Sequence, residues 1–405
     1  MFNKRPTDPR RPAHQHQKPV SSHSAPSKNS ATEKSAPQSG ATFPISRLAK
    51  KKNNFPPRGS RPAHNGPRRP SPSHTNRSES GAEKSSREKI PEIAADVIRI
   101  IPLGGVEEIG KNMTAIEIGE DIIVIDAGLA FPGDDAPGVD YIIPDTSYLE
   151  EHKSRVRALI VTHGHLDHIG GIPYIVDKIG NPPIYTSLLT AVMIKKRQEE
   201  FPHLPTLNIN VTKSGEPLKI GQIRCRFFAI SHTVPDSMGV IIETPYGNLV
   251  FTGDIRIENE NGIPVDYEVK TWGDIGKEKN LLLVADSTNV ERLGFSYPEK
   301  LVQANVKEII RHVKGRVIIG TFASLLERII YIILAAEDLG KKVAIEGRSM
   351  KTNIEIAKEL GLLKVKAGTL ISSDDLQNYP EDKIVIMATG AQGDEFAALM
   401  RMAQK

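Results

Sequence analysis

The chain has 405 residues and a formal net charge of +4, and no apolar run approaches the ~20 residues that cross a bilayer. This length allows two or three domains, and we expect a soluble protein without membrane contact. The single cysteine, Cys225, excludes an intrachain disulfide and favours a reducing, cytoplasmic setting.

The charge is distributed very unevenly. Residues 1–89 hold 19 Lys/Arg and 5 Asp/Glu, a net of +14, whereas the remaining residues have a net charge of −10. The first segment is rich in Pro, Ser, Asn and Gly and poor in aliphatic residues, so it cannot bury enough apolar surface to fold. We therefore predict a disordered basic tail over residues 1–92. It would contact RNA or another acidic partner, or act only as a charged spacer.

The first predicted strands, 97–103 and 113–118, flank the glycine-rich stretch 104–110. That stretch matches neither a phosphate-binding loop nor a dinucleotide fingerprint, and it predicts a tight hairpin. A third apolar strand, 122–125, ends at Asp126. This aspartate is either an ordinary turn residue or a brace for a metal-binding histidine.

The most informative stretch is HGHLDH, which begins at His163 and follows a predicted buried strand at 158–162. In an extended loop, His163 and His165 point to one side and can hold one cation. Asp167 and His168 lie just beyond and can reach a second cation. Imidazole and carboxylate ligands without cysteine favour catalytic zinc over structural zinc, calcium or magnesium. The alternative is a solvated, histidine-rich loop.

Two later apolar strands end in the same kind of group, because His232 follows the strand ending near 230 and Asp254 follows the strand at 249–252. Strands that share a sheet edge would bring these side chains to one rim. The carboxylate of Asp254 could bridge two cations about 3.5–4 Å apart, an arrangement that activates water for attack on phosphorus. The residues therefore favour a hydrolase.

These motifs resemble the metallo-β-lactamase superfamily, whose HxHxDH signature precedes separate His and Asp motifs. The segments LVADSTN, GTFAS, EGRSM and ATGAQG, which begin at residues 283, 320, 346 and 388, narrow the resemblance to bacterial ribonuclease J, of the β-CASP nuclease branch. The resemblance covers residues from about 97 to 405. It implies an α/β fold: an αββα metallo-β-lactamase sandwich at 93–297 and an inserted parallel α/β β-CASP module at 298–405.

The hydrophobic pattern agrees with that placement. After Pro298, apolar runs at 316–320, 343–345 and 384–388 alternate with helix-like stretches, which is typical of parallel βαβ units. The resemblance further implies that this module closes over an RNA channel.

The resemblance also implies roles for individual residues. Two zinc ions would be bound by His163, His165 and His232 on one side and by Asp167, His168 and Asp254 on the other, with Asp254 shared. The catalytic residues would be Asp167 and Asp254 together with Asp126 and Asp286, which support the active site. Ser324 and Arg348 would lie near the RNA channel and bind substrate. Leu325 stands where the family commonly has asparagine, so one RNA contact would differ.

The implied function is zinc-dependent hydrolysis of RNA, 5′-to-3′ with internal cleavage as a possible second activity, in rRNA processing and RNA decay by a cytoplasmic dimer or tetramer. The family's later Ser-Gly-His and Pro-Val-His segments, the second of which supplies a seventh metal ligand, are not found before Lys405. We therefore expect an incomplete β-CASP module and impaired activity. The alternatives are another β-CASP nuclease, acting on DNA or at mRNA 3′ ends, and a non-catalytic RNA-binding subunit.

Overall fold

The computed structural model describes residues 94, 96–133, 136–391 and 397–403. The basic tail predicted for residues 1–92 lies outside them. The predicted domain boundaries after residues 92 and 297 stay predictions. None of the helices in the described part of the chain has the length and apolar character that crossing a bilayer requires.

The first sheet has six strands in chain order. They are β1 (Ile98–Gly104), β2 (Met113–Ile118), β3 (Asp121–Ile125), β4 (Val156–Ile160), β5 (Ile184–Thr186) and β6 (Ile209–Val211). β1, β2 and β3 are antiparallel, and β3 to β6 are parallel. The central parallel strands β3 and β4 are almost entirely buried, as their aliphatic composition predicts.

The second sheet has five strands in the order β13-β10-β9-β8-β7. They are β7 (Pro217–Ile220), β8 (Ile223–Ala229), β9 (Met238–Glu243), β10 (Asn248–Phe251) and β13 (Asn280–Val284). The small hairpin of β11 (Asn259–Glu260) and β12 (Ile263–Pro264) lies between β10 and β13 in the chain. β13 pairs in parallel with β10 at the edge of the sheet, and all five of its residues are exposed.

The two sheets pack face to face. Ile123 and Ile160 of the first sheet belong to the same buried cluster as Phe227 and Val240 of the second. Cys225 faces this cluster, and burial raises the pKa of its thiol to about 12, so it is an inert core residue.

Helices cover the outer faces of both sheets. They are α1 (Ser147–Glu151), α2 (Leu166–Ile169), α3 (Ile172–Ile175) and α4 (Leu188–Gln198) on the first sheet, and α5 (Asp266–Gly276) on the second. A 3₁₀ turn, Lys153–Arg155, precedes β4. The predicted αββα sandwich is confirmed.

The second module is a four-stranded parallel sheet in the order β14-β17-β15-β16. Its elements are α6 (Glu299–His312), β14 (Val317–Gly320), α7 (Leu326–Asp338), β15 (Lys342–Glu346), α8 (Arg348–Glu359), β16 (Leu370–Ile371), two 3₁₀ turns (Ser373–Asn378 and Glu381–Lys383), β17 (Ile384–Ala388) and α9 (Ala398–Ala403). The predicted βαβ alternation is confirmed. Leu189 of α4 and Val234 join the module's buried core, so the module packs directly on the sandwich.

Two local predictions were wrong. β1 and β2 do form a hairpin, but the loop 105–112 is long rather than tight, because Lys111 and Asn112 bond to backbone elsewhere in the sandwich. The HGHLDH stretch is not an extended loop throughout, because α2 begins at Leu166, inside it. Asp167 and His168 therefore lie on α2 rather than on an extended loop.

Candidate metal centre

The candidate site lies at an edge of the sandwich where strand ends meet. Asp126, His163, His232 and Asp254 follow β3, β4, β8 and β10 within a few residues. β3 and β4 are parallel, and β8 and β10 both pair antiparallel with β9, so within each sheet these carboxyl ends share an edge. The packed strands fix the point where each chain segment leaves its sheet, and so they fix the side chains that follow.

A first group of ligand-type atoms comes from His163, His165, His232 and Asp254, all within 4.8 Å of one another. Nε2 of His163 lies 3.1 Å from Nδ1 of His165, and Nε2 of His232 lies 3.3 Å from the same atom. Oδ2 of Asp254 is 3.7 Å from the Nε2 atoms of His163 and His232. Atoms at these separations can surround one cation whose bonds are about 2 Å long.

A second group consists of Asp167, His168 and Asp254. Nε2 of His168 lies 3.2 Å from Oδ1 of Asp254 and 3.5 Å from Oδ2 of Asp167. Asp254 thus turns one carboxylate oxygen toward each group. The structure brings together all six side chains that the sequence predicts as metal ligands, in the two predicted sets.

Asp126 lies behind the histidines and outside both groups. Its Oδ2 accepts a hydrogen bond from Nδ1 of His168 at 2.7 Å, and its Oδ1 accepts one from the backbone N–H of Thr162 at 2.8 Å. The hydroxyl of Thr162, which also bonds Asp126, lies 3.0 Å from Nδ1 of His163. Of the two alternatives for Asp126, the geometry is that of the brace. It holds His168 directly and His163 through the hydroxyl of Thr162, each with its Nε2 atom facing inward.

Ser324 has a similar relation to His165. Its backbone carbonyl lies 3.4 Å from Nε2 of His165, so that nitrogen donates and Nδ1 keeps the lone pair that faces the first group. The sequence predicts Ser324 near an RNA channel; the structure also places its carbonyl against a candidate metal ligand.

Asn112 is a site residue that sequence reasoning missed. Its Nδ2 lies 3.1 Å from Nε2 of His168 and 3.3 Å from Oδ2 of Asp167, and its backbone N–H donates to the carbonyl of Asp167. Asn112 comes from the loop between β1 and β2, and the only available signal was an asparagine at the end of a glycine-rich stretch. The structure shows that this loop supports the second group.

The electrostatics of the two groups differ. Burial and the neighbouring imidazoles hold the pKa of His163 well below its usual range, and burial lowers the pKa of His232 to about 4. Burial acts in the same direction on His168, but the charge of Asp126 and its hydrogen bond raise that pKa well above its usual range. Burial alone would raise the pKa of Asp254, yet its bond to His168 lowers it to about 2. Without a cation, His168 is therefore the protonated member of the cluster.

Asp286 lies outside both groups. Its Oδ2 accepts from the backbone N–H of Ile255 at 3.3 Å, and its own N–H donates to Thr252 Oγ1 at 3.2 Å. It thus supports the loop that carries Asp254, and its predicted catalytic role stays a prediction. His152, His203 and His312, which lack a strand-end setting, are in neither group.

A cavity of about 860 Å³ opens beside His165, between α4 and the second module. Ser324 and Arg348, the two predicted substrate contacts, both line it, and so do Phe322 and Arg197. Phe322 as a whole residue is 44% exposed. The cavity therefore combines cationic side chains with an accessible aromatic face, next to the first group.

Fold and site together define a metallo-β-lactamase domain that carries a β-CASP module. The model of the metallo-β-lactamase superfamily matches residues 107–288, and that of the ribonuclease J β-CASP domain matches residues 314–405. The chain therefore contains a metallo-β-lactamase region and a region that matches the ribonuclease J β-CASP domain.

Several curated relatives carry the ribonuclease J name. The chain is 40% identical to ribonuclease J of Thermus thermophilus over 317 residues, which are 76% of this chain and 55% of that protein. It is 38% identical to that of Mycoplasma pneumoniae (76% and 54%) and 40% identical to that of Corynebacterium glutamicum (78% and 44%). The chain spans about half the length of these relatives.

Among solved structures, a protein of unknown function from Enterococcus faecalis has a TM-score of 0.51 and 17% identity, over 71% of this chain and 76% of that one. This likeness concerns the fold alone.

Proposed function

We propose that this chain belongs to a zinc-dependent ribonuclease that hydrolyses RNA phosphodiesters from the 5′ end and can also cleave internally. The observation that carries the proposal is the position of Asp254, whose two oxygens face two separate histidine-containing groups beside a cationic cavity. The named relatives, all called ribonuclease J, support RNA as the substrate.

The donor set suits zinc. Three imidazoles and a carboxylate oxygen in the first group, and an imidazole and two carboxylates in the second, are ligands typical of zinc, and neither group contains a thiolate. When bound, a pair of such cations lowers the pKa of water toward neutrality and offsets negative charge that develops on phosphorus oxygens.

The chain's own residues would orient and bind. Asp126 and the carbonyl of Ser324 fix the tautomers of His168 and His165, so the inward nitrogens of these two residues would be able to hold the cations. Asp254, ionised because of its low pKa, holds the two groups at a fixed separation. The charged groups of the site are therefore preorganised before the reaction begins, and such preorganisation is the main source of electrostatic catalysis.

RNA would enter along the cavity. Arg348 and Arg197 would contact phosphates, and the exposed ring of Phe322 offers a face on which a base can stack. Stacking tolerates any base, which suits an enzyme that degrades RNA of varied sequence. His165, at the cavity wall, links this path to the first group.

The test uses zinc-loaded protein and single-stranded RNA bearing either a 5′-monophosphate or a 5′-triphosphate. We expect shortening from the 5′ end with preference for the monophosphate, and loss of hydrolysis in Asp254→Asn. His312→Ala, which changes an exposed histidine on α6, is the matched control and should retain activity. Equal hydrolysis by the native and Asp254→Asn proteins would contradict the proposal, and so would turnover of DNA in place of RNA.

A further inference from the structure

Three charged side chains join the metal-centre loops to two helices of the second module. Arg256 lies two residues after Asp254, Glu299 is the first residue of α6, and Arg328 lies in the first turn of α7. Nε and Nη2 of Arg328 donate to the two oxygens of Glu299 at 3.0 and 2.7 Å, and Nη1 of Arg256 donates to Glu299 at 3.4 Å. We call these residues the Glu299 cluster.

Glu299, at the centre of the cluster, is buried, whereas the side chain of Arg328 is 32% exposed. The side chain of Glu299 is 7% exposed and that of Arg256 is 17% exposed. Burial would raise the pKa of Glu299, but the hydrogen bond and charge of Arg328 lower it, so the carboxylate stays ionised. A buried ion of this kind needs all of its partners, because removal of one leaves the other uncompensated.

Glu258 and Glu327 add to the cluster on the side of Arg256. Nη2 of Arg256 forms an ion pair with Glu258 and lies 3.6 Å from Glu327. Arg256 therefore meets carboxylates from its own loop, from α6 and from α7. A single guanidinium with its planar set of donors can hold these three elements in one arrangement.

Both ends of the cluster reach candidate metal ligands. On the sandwich side, the backbone N–H of Arg256 donates to the carbonyl of Ser231, the residue before His232. On the module side, the N–H of Leu326, in the same turn as Arg328, donates to the carbonyl of Ser324 at 2.8 Å. That same carbonyl faces Nε2 of His165, so the cluster spans from one ligand of the first group to another.

We propose that Arg256 and Glu299 are positioning residues, which set how closely the 320–325 loop approaches His165 and thereby the geometry of the first metal group and of the adjoining cavity. The inference rests on the proposed function, because it takes the first group to hold a cation. Neither residue needs to contact substrate. If the ion pairs only stabilise the fold, they should alter melting and nothing else.

The experiment compares Glu299→Gln with Glu308→Gln, a change of an exposed, ion-paired glutamate on the same helix. Both are made in a Cys225→Ser background with spin labels on Lys178→Cys of the sandwich and Lys364→Cys of the module, two exposed positions. Pulsed electron spin resonance gives the distance between the labels, and zinc titration against a chelating dye gives the affinity of the first group.

We expect Glu299→Gln to broaden the distance distribution. It should also lower the zinc affinity of the first group by about 2- to 30-fold, which is the range by which residues in such networks change the affinity of a distant site. Arg256→Lys keeps the charge without the planar donors and should give a partial effect. Glu308→Gln should match the parent in both measurements.

Melting curves separate folding from positioning. If Glu299→Gln and Arg256→Lys lower the melting temperature yet keep the parent's distance distribution and zinc affinity, the inference is wrong. If the parent binds no zinc, the proposed function fails, while the distance distributions still decide whether the cluster positions the module. Should Glu299→Gln fail to fold, the comparison of Arg256→Lys with Glu308→Gln carries the test.

Discussion

Asp126→Asn is the most discriminating change that the metal centre allows. The amide has the shape of the carboxylate, so its oxygen can still accept the N–H and hydroxyl of Thr162. Its NH₂ then takes the place of the Oδ2 atom that lies 2.7 Å from Nδ1 of His168. Two donors face each other there unless His168 moves its proton to Nε2, the nitrogen that faces the second group. Either outcome disfavours a cation on His168.

The size of the effect follows from this geometry. Asp126 is 4% exposed, so water cannot replace the lost acceptor. A buried donor left without a partner costs about 1–3 kcal/mol. That corresponds to roughly 5- to 150-fold in affinity, in line with the ~10- to 100-fold seen when a residue behind a ligand histidine is changed. We expect a loss of this size at the second group and a smaller one at the first.

Thr162→Val gives the complementary result. It removes the hydroxyl 3.0 Å from Nδ1 of His163 and leaves the bond between Asp126 and His168 in place. The first group should therefore weaken more than the second. Zinc titration against a chelating dye measures both affinities, and two-bond ¹H–¹⁵N spectra of the imidazoles identify the protonated nitrogen of each ring.

If Asp126→Asn binds two zincs with native affinity and keeps the proton of His168 on Nδ1, the bracing argument is refuted.

Further predictions concern protons, backbone and RNA. The pKa of His168 is raised, whereas that of His232 is about 4. Zinc binding to the second group should therefore release about one proton at pH 7 and become tighter as pH rises, whereas binding to the first group should not. Calorimetry in buffers of different ionisation heat measures this proton release. A Cβ at Gly128 would lie 1.6 Å from the carbonyl oxygen of Asp167, so Gly128→Ala should displace Asp167 and lower zinc content, whereas Gly273→Ala, with open space, should not; elemental analysis decides. Phe322→Ala should weaken single-stranded RNA binding by about 5- to 150-fold in fluorescence anisotropy, and an unchanged affinity would exclude stacking there.

The sequence was sufficient where the signal is local or repeated. Short β-branched runs predict the buried strands, and alternation of strands with helices predicts the parallel module. The start of α2 at Leu166 was not predictable in this way, because that turn is stabilised by hydrogen bonds from residues that are distant in sequence. The carbonyls of Leu166, Asp167 and His168 accept hydrogen bonds from Leu129, Asn112 and Ala127, which lie 37, 55 and 41 positions earlier in the chain.

The same distinction between local sequence signals and long-range contacts applies to the residues of the candidate site. His232 and Asp254 are visible in sequence because each repeats the pattern of a metal-type group at the end of an apolar strand. Asn112 is not, since nothing in a glycine-rich loop indicates which side chain reaches His168. The role of Asp126 likewise follows only from its contacts in the folded protein, because a strand-end aspartate close to a glycine is equally compatible with a turn and with a brace.

Exposure of the ligands indicates the side from which a substrate can approach. His163 and His168 are 1% and 2% exposed and are held by Thr162 and Asp126. They therefore lie at the buried base of the site, in fixed orientations. Asp254, whose side chain is 30% exposed, remains open, as does Asp167. Under the proposed function, a phosphodiester would reach both groups past the carboxylates and His165, on the side where the cavity lies. Since two carboxylates at that opening would repel a phosphate, we expect cations to bind before RNA and RNA affinity near the site to depend on metal.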